Sequence, residues 1–285
     1  MEDTNKHTSS TITSTTLTSI AAPPTGGGEG VLFGLIGYPL GHSFSRKFFT
    51  EKFANEGIDA EYVNFEIPQA EMLLDVVKDN PNLRGLNCTI PHKQAIIPML
   101  DQMSDEARRI GAVNVIKVIP PKAPLPFGGE AGERGALVGF NSDIIGFTDS
   151  IRPLLKPHHK KALVLGTGGA SKAICVGLEE MGIEWKYVSR RPAPGQFTYD
   201  NLTPAIIQEY SVIVNCSPVG MFPHVDECPN LPYEAMTADN LLFDLVYNPL
   251  ETTFMKRGAE YGATVKNGLE MLHLQALASW KFWNN

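Results

Sequence analysis

Cysteine is scarce in this 285-residue chain: Cys88, Cys175, Cys216 and Cys228 are the only four, and no two form a C-x-x-C pair. That excludes a disulfide-stapled scaffold and offers no zinc-site spacing, so no metal is expected. Four reduced thiols suit a cytoplasmic protein. A basic excess is missing too. Twenty-four Lys and Arg against 31 Asp and Glu leave a net charge of −7. The chain therefore lacks the basic face that wholesale nucleic-acid binding needs, although a local basic pocket is compatible with it. No apolar run approaches the ~18 residues of a membrane span. The first 30 residues lack any apolar period and any arginine. Thr8–Ser19 is nearly all Ser and Thr, and Pro23–Gly28 follows. This stretch reads as a flexible tail, not a secretory signal or an Arg-rich transit peptide.

What is present begins at Val31. Apolar residues make up 43% of the chain, enough for a substantial core, and they come in alternating strand-like and helix-like segments. Strands are predicted at Val31–Gly37, Glu61–Ile67, Leu83–Ile90, Val113–Ile119 and Ala136–Phe140. Helices are predicted between them at Ser45–Glu56, Gln69–Lys78 and Lys93–Met103, and then at Asp143–Leu155. A second series starts afresh with the strand Lys161–Gly166 and closes with a helix at Glu270–Phe282. Such β–α alternation predicts an α/β protein with parallel sheets and crossover helices. The restart predicts two units with a junction near residue 142. The Pro- and Gly-rich loop Pro120–Gly135 reads as a disordered insertion.

Gly166-Thr167-Gly168-Gly169-Ala170-Ser171 follows a predicted strand and opens a predicted helix, the context that a dinucleotide pyrophosphate needs. The first glycine permits the turn, and the second lets main-chain N–H groups approach the phosphates at the helix N-terminus. Ser171 stands where Gly or Ala is usual. The next strand ends in Ser189-Arg190-Arg191 with no acid beside it. Two guanidiniums suit a 2′-phosphate, which favours NADP over NAD.

The first half carries polar residues at the ends of its elements. Ser43 and Ser45, two apart in an extended segment, point the same way and could hold a carboxylate; equally, one of them could cap the helix. Lys93, at a strand–helix junction, is placed for acid–base work if it lies in a cleft. Asn114 and Asp143 lie in loops that can converge there. Asp143 could orient Lys93, cap the following helix, or do both.

Taken together, Gly41-His42-Ser43-Phe44-Ser45, the run Asn87–Lys93, Gly111–Asn114, Asn141–Asp143, Gly166–Ala170, Asp244–Pro249 and Gly268–Gln275 resemble the shikimate dehydrogenase family from Val31 to the end of the chain. The resemblance implies a substrate-binding unit (31–142 and 268–285), an NADP-binding Rossmann unit (143–267) and a cleft between them. It implies reversible, NADP-dependent reduction of 3-dehydroshikimate to shikimate in aromatic amino-acid biosynthesis, with hydride passing between C4 of the nicotinamide and the substrate. Ser43 and Ser45 would hold the substrate carboxylate. Thr89, Asn114, Tyr247 and Gln275 would contact carboxylate or ring hydroxyls, and Lys93 would be the acid–base residue beside Asp143. Cofactor contacts would come from Gly166, Thr167, Gly168, Gly169, Ala170, Ser189, Arg190 and Arg191, and also from Asp105, Leu245 and Gly268. Ile144 replaces a common glycine, which would alter the helix start. A relaxed quinate/shikimate specificity, or a non-catalytic metabolite sensor, are the alternatives. The expected partner is a small molecule, with no nucleic acid or membrane, and the protein a monomer or homodimer.

Overall fold

The computed structural model describes residues 30–41 and 43–285, so the tail expected over 1–30 lies, but for Gly30, outside the described residues. The elements are β1 (Val31–Gly37), α1 (Phe44–Glu56), β2 (Ala60–Glu66), α2 (Leu73–Asp79), β3 (Leu83–Cys88), β4 (Gln102–Met103), α3 (Asp105–Ile110), β5 (Val115–Ile119) and β6 (Ala136–Phe140). They continue with α4 (Asp143–Ile151), β7 (Lys161–Leu165), α5 (Gly169–Glu180), β8 (Glu184–Ser189), β9 (Phe197–Thr198), α6 (Pro204–Glu209), β10 (Val212–Asn215), β11 (Leu241–Asp244), α7 (Thr253–Glu260), β12 (Thr264–Lys266) and α8 (Leu269–Asn284). The architecture is α/β, as expected, with two six-stranded sheets ordered β2-β1-β3-β5-β6-β4 and β12-β11-β10-β7-β8-β9.

The second sheet is parallel throughout its described strands. Counted within that sheet, its order is the 3-2-1-4-5-6 of a doubly wound dinucleotide-binding unit, and the strand order reverses between β7 and β10. Both faces of β7 are covered. Ala162 and Val164 pack with Phe147, Ile174 and Leu178, while Leu163 and Leu165 pack with Ile213, Tyr233 and Phe254.

The first sheet departs from the all-parallel expectation: among its described strands β5 runs antiparallel to both neighbours. Its pairing with β6 follows from the Pro120–Gly135 segment, which cannot supply a crossover helix and folds back as a hairpin. That segment is ordered and not a loose insertion. Lys122 N donates to Ala131 O (3.1 Å), Leu125 N to Gly129 O (3.0 Å), and Ala131 is buried in the core. The helix expected at Lys93–Met103 is also absent. The Lys93 carbonyl accepts from Val113 N at 2.7 Å and is lost to a helical ladder, and Pro98 lacks an N–H. The segment is instead a run of turns ending in a short 3₁₀ helix, Ile97–Met99.

Helix ends follow local chemistry. Ser43 Oγ accepts from Arg46 N at 3.2 Å and starts α1 at Phe44; Gly57, at φ 64°, ends it. Ser45 is therefore within the first helical turn and not in an extended segment. At α4 the cap is Asn141, whose Oδ1 accepts from Asp143 N (3.0 Å) and Ile144 N (3.4 Å), so Asp143 keeps its carboxylate for other partners.

Two helices join the sheets. The far half of α8 puts Trp280 and Trp283 against Phe33, Phe49 and Tyr62 of the first core. Its start puts Met271 into the second core, with Phe147 and Ile151 of α4. The two helices touch backbone to backbone, for a Cβ on Gly146 would stand 2.5 Å from Met271 O. A main-chain carbonyl cannot turn aside, so Gly146→Ala should force α4 from α8. We expect a loss of about 1–3 kcal/mol, typical of overpacking, measured as a lowered midpoint in urea unfolding.

Candidate active site

The β1 and β3 ends, α1, α8 and the loop after β11 enclose a cavity of about 490 Å³. Ser43, Ser45, Thr89, Lys93, Asn114, Tyr247 and Gln275 all line it. The sequence spreads these residues along more than 230 positions; the fold brings them to one wall. Asp143 lies just behind, 2% exposed. Its Oδ2 accepts from Lys93 Nζ at 2.6 Å, and its Oδ1 from Asn114 Nδ2 at 2.8 Å. Asn114 Oδ1 in turn accepts from Ser142 N at 2.7 Å, which fixes the amide's orientation. A carboxylate so buried is tolerable only because each oxygen has a donor.

A second cavity, of about 460 Å³, is lined by Thr167, Ser189, Arg190 and Arg191. It lies at the carboxyl end of β7 and β8, beside the point where strand order reverses. Gly166 makes the turn at φ 97°, a conformation other residues rarely adopt, and its N–H is held by Val188 O at 3.0 Å. The N-terminal turn of α5 starts at Gly169. Ser171 fits its irregular place because it is fully buried and its hydroxyl donates to Gly168 O at 2.7 Å. Both arginines are exposed, and neither forms an ion pair among the described residues. Two unpaired guanidiniums, two hydroxyls and a helix N-terminus form a donor set that fits a phosphorylated dinucleotide.

The glycine turn stands against the wall of the first cavity. A side-chain carbon at Gly169 would meet Lys93 Cβ at 3.4 Å, and Lys172 Nζ donates to Gln94 Oε1 at 2.8 Å. The apolar contact of Ile110, Ala112, Ile144, Ala173 and Val176 clamps α3, α4 and α5 together beside this seam. Ile144 is thus core, and α4 begins at Asp143 undisturbed.

Known proteins are similar to this chain in sequence and fold. Residues 35–116 match the family model described as the shikimate dehydrogenase substrate binding domain. A shikimate dehydrogenase (NADP(+)) of Caldanaerobacter subterraneus is 33% identical over 270 residues, covering 88% of this chain and 91% of the relative. The chain belongs to the shikimate dehydrogenase family. Among solved structures, the shikimate dehydrogenase from Aquifex aeolicus superposes with a TM-score of 0.75 at 31% identity, covering 90% of this chain and 92% of that one. The enzyme from Thermus thermophilus, in complex with NADP(H) and shikimate, gives 0.71 at 29% identity, covering 89% and 93%.

Within this family member, not every anticipated residue reaches a cavity. Asp105 is exposed in the first turn of α3 and lines neither. Leu245 and Gly268 line neither cavity; Gly268 N donates to Val246 O at 3.1 Å and Leu245 N to Asn215 O at 3.0 Å. Ala170 follows Gly169 in the first turn of α5. His92, set between the Thr89 and Lys93 positions, is scaffold: it is buried with its ring Nε2 2.6 Å from Ile67 O. His42 lies outside the described residues.

Several lining residues carry no role in the sequence reading. Asn87 and Ser279 line the first cavity, as do Tyr38, Phe44 and Met221. Asn87 is visible as the opening residue of its own motif; Ser279, in the middle of an apolar helix, has no such signal. Cys88 also lines the wall, its thiol pushed up to about 12 by burial, against which the nearby Lys93 charge acts. Burial raises the Tyr247 phenol too, so both groups stay neutral near pH 7.

A second buried carboxylate has no role in the sequence reading either. Asp244, fully buried at the end of β11, accepts from Thr252 Oγ1 (2.7 Å), Asn215 Nδ2 (2.9 Å) and Val246 N (3.0 Å). Burial outweighs these donors and raises its pKa from 3.8 to about 6. The native state therefore holds this proton more tightly than the unfolded chain does. The associated stability is full below about pH 4 and is lost as pH rises through 6. Asp244→Asn should remove the penalty. The thermal midpoint of the variant, relative to wild type, should climb between pH 4 and pH 7, the difference approaching about 3 kcal/mol; a pH-independent difference would contradict it.

Proposed function

We propose that this chain is an NADP-dependent shikimate dehydrogenase, reversibly reducing 3-dehydroshikimate to shikimate in the biosynthesis of chorismate and aromatic amino acids. The observation that carries the proposal is the Lys93–Asp143 pair, 2.6 Å apart, with Lys93 in the cavity wall and against Gly169 of the glycine turn. Family membership adds the substrate class, since the relatives bear that name and the Thermus thermophilus enzyme was solved with NADP(H) and shikimate.

Residues 31–142 and 268–285 form the substrate-binding unit in this reading, and 143–267 the cofactor-binding unit. The pyrophosphate would lie over Gly166–Ala170 at the start of α5, and the 2′-phosphate between Ser189, Arg190 and Arg191. When bound, NADPH supplies the hydride. The chain's own residues handle the rest. Ser43 and Ser45 donate hydroxyl hydrogen bonds to the substrate carboxylate. Asn87, Thr89, Asn114, Tyr247 and Gln275 orient the ring by its oxygens. Lys93 Nζ donates a proton to the carbonyl oxygen as it becomes a hydroxyl, and its charge stabilises the oxyanion on the way. Asp143 keeps the ammonium aimed and, held by Asn114, does not move with it. In oxidation the same nitrogen accepts the proton. We place the enzyme in the cytoplasm; four free cysteines suit a reducing compartment, and no described helix is long and apolar enough to cross a membrane.

Steady-state assays of shikimate and quinate against NADP⁺ and NAD⁺ test this reading. Shikimate with NADP⁺ should give the highest kcat/KM, and no turnover of any pair would refute it. Lys93→Ala should lose about 10²–10⁴ in kcat, the usual weight of general acid–base catalysis, while shikimate binding persists. Arg190→Ala should raise KM for NADP⁺ about tenfold or more, the loss of a charge-assisted phosphate contact, and leave KM for NAD⁺ nearly unchanged.

A further inference from the structure

Beneath the substrate cavity the hydrogen bonds form a chain whose donor directions are forced from one end. The main-chain carbonyl of Gln275 can only accept, so Ser279 Oγ donates to it, at 2.8 Å. The Ser279 oxygen is then left to accept from Asn87 Nδ2 at 2.9 Å and from the Ser142 hydroxyl at 3.2 Å. Asn87 thus presents its amino group to Ser279 and turns Oδ1 towards Tyr62, 2.8 Å away, whose hydroxyl must donate. Tyr62 cannot swing aside. It is 2% exposed, and its ring stacks on Phe49 with centroids 4.8 Å apart. Burial also raises its phenol far above the ordinary range, so the donated proton is not lost at any working pH. The second hydrogen on Asn87 Nδ2 has only the Asn114 carbonyl at 3.4 Å, a weak partner, and Asn87 lines the cavity.

We infer that Tyr62 and Ser279 are positioning residues that lock the Asn87 amide with an N–H facing the cavity, making Asn87 an obligatory donor to a substrate ring oxygen. Neither touches the cavity through a charge, and neither acts on the reacting atoms. Without Tyr62's hydroxyl Oδ1 loses its donor and Ser279 alone holds the amide; Ser279 can then turn its hydrogen from the Gln275 carbonyl to Oδ1, letting the amide turn over and present an acceptor to an oxygen that needs a donor. The inference rests on the cavity being the shikimate site.

The test is a double-mutant cycle with Tyr62→Phe and Asn87→Ala in the full-length protein. Tyr62→Phe should raise KM for shikimate about tenfold, the worth of one hydrogen bond to the substrate, with kcat and KM for NADP⁺ within about twofold of wild type. Because Tyr62 acts through Asn87, the double variant should be no worse than Asn87→Ala alone. A wild-type KM in Tyr62→Phe, additive losses in the double variant, or an equal rise in both substrates' KM would overturn the inference. Should Tyr62→Phe not fold by circular dichroism, Ser279→Ala takes its place in the cycle with the same expectations. An inactive wild type refutes the function itself; an active one with additive losses refutes this inference alone.

Discussion

Taking one carboxylate out of water dictates much of this molecule. Asp143 sits at 2% exposure, where an uncompensated charge would cost several kcal/mol. Lys93 and Asn114 supply its two donors, and Asn141 caps the helix so that Asp143 need not. Lys93 comes from the turn after β3, Asn114 from the residue before β5, and Asp143 from the start of α4. Holding all three requires the first sheet to be finished, α4 to be in register, and α8 to close the wall behind them.

The parts of the site that are legible in the sequence are those at the ends of elements. Gly166–Ser171 can be read because a turn with one left-handed residue leaves few choices, and the unaccompanied Arg190-Arg191 because the acid that would repel a phosphate is missing. Ser43, Lys93 and Asp143 are legible as residues at junctions. The scaffold behind them is not. That Tyr62 Oη reaches Asn87 depends on how β2, β1 and β3 align, since Leu35 pairs with both Asn64 and Asn87. Ser279 reads as an ordinary small residue in a helix and becomes polar machinery only where α8 crosses β3.

The mismatches have physical causes as well. Periodicity suggests a helix at Lys93–Met103, but a tertiary hydrogen bond takes the Lys93 carbonyl and Pro98 interrupts what remains. The rule that alternating elements make parallel sheets fails between β5 and β6, because the stretch that joins them holds too much proline and glycine to become a helix. Poverty in regular structure is not looseness, for in that stretch Ala131 is buried and Phe127 packs on Phe140 with centroids 5.8 Å apart.

The placement of Trp280 and Trp283 has a consequence for how the chain is made. These residues follow every strand of both sheets in the chain, yet they belong to the core of the first sheet, whose strands all precede those of the second. During translation the second sheet has every strand in hand before the first sheet has its covering helix. The second sheet's half can therefore mature first, while the half that emerged before it waits with an apolar face exposed, in need of protection until the far turns of α8 arrive.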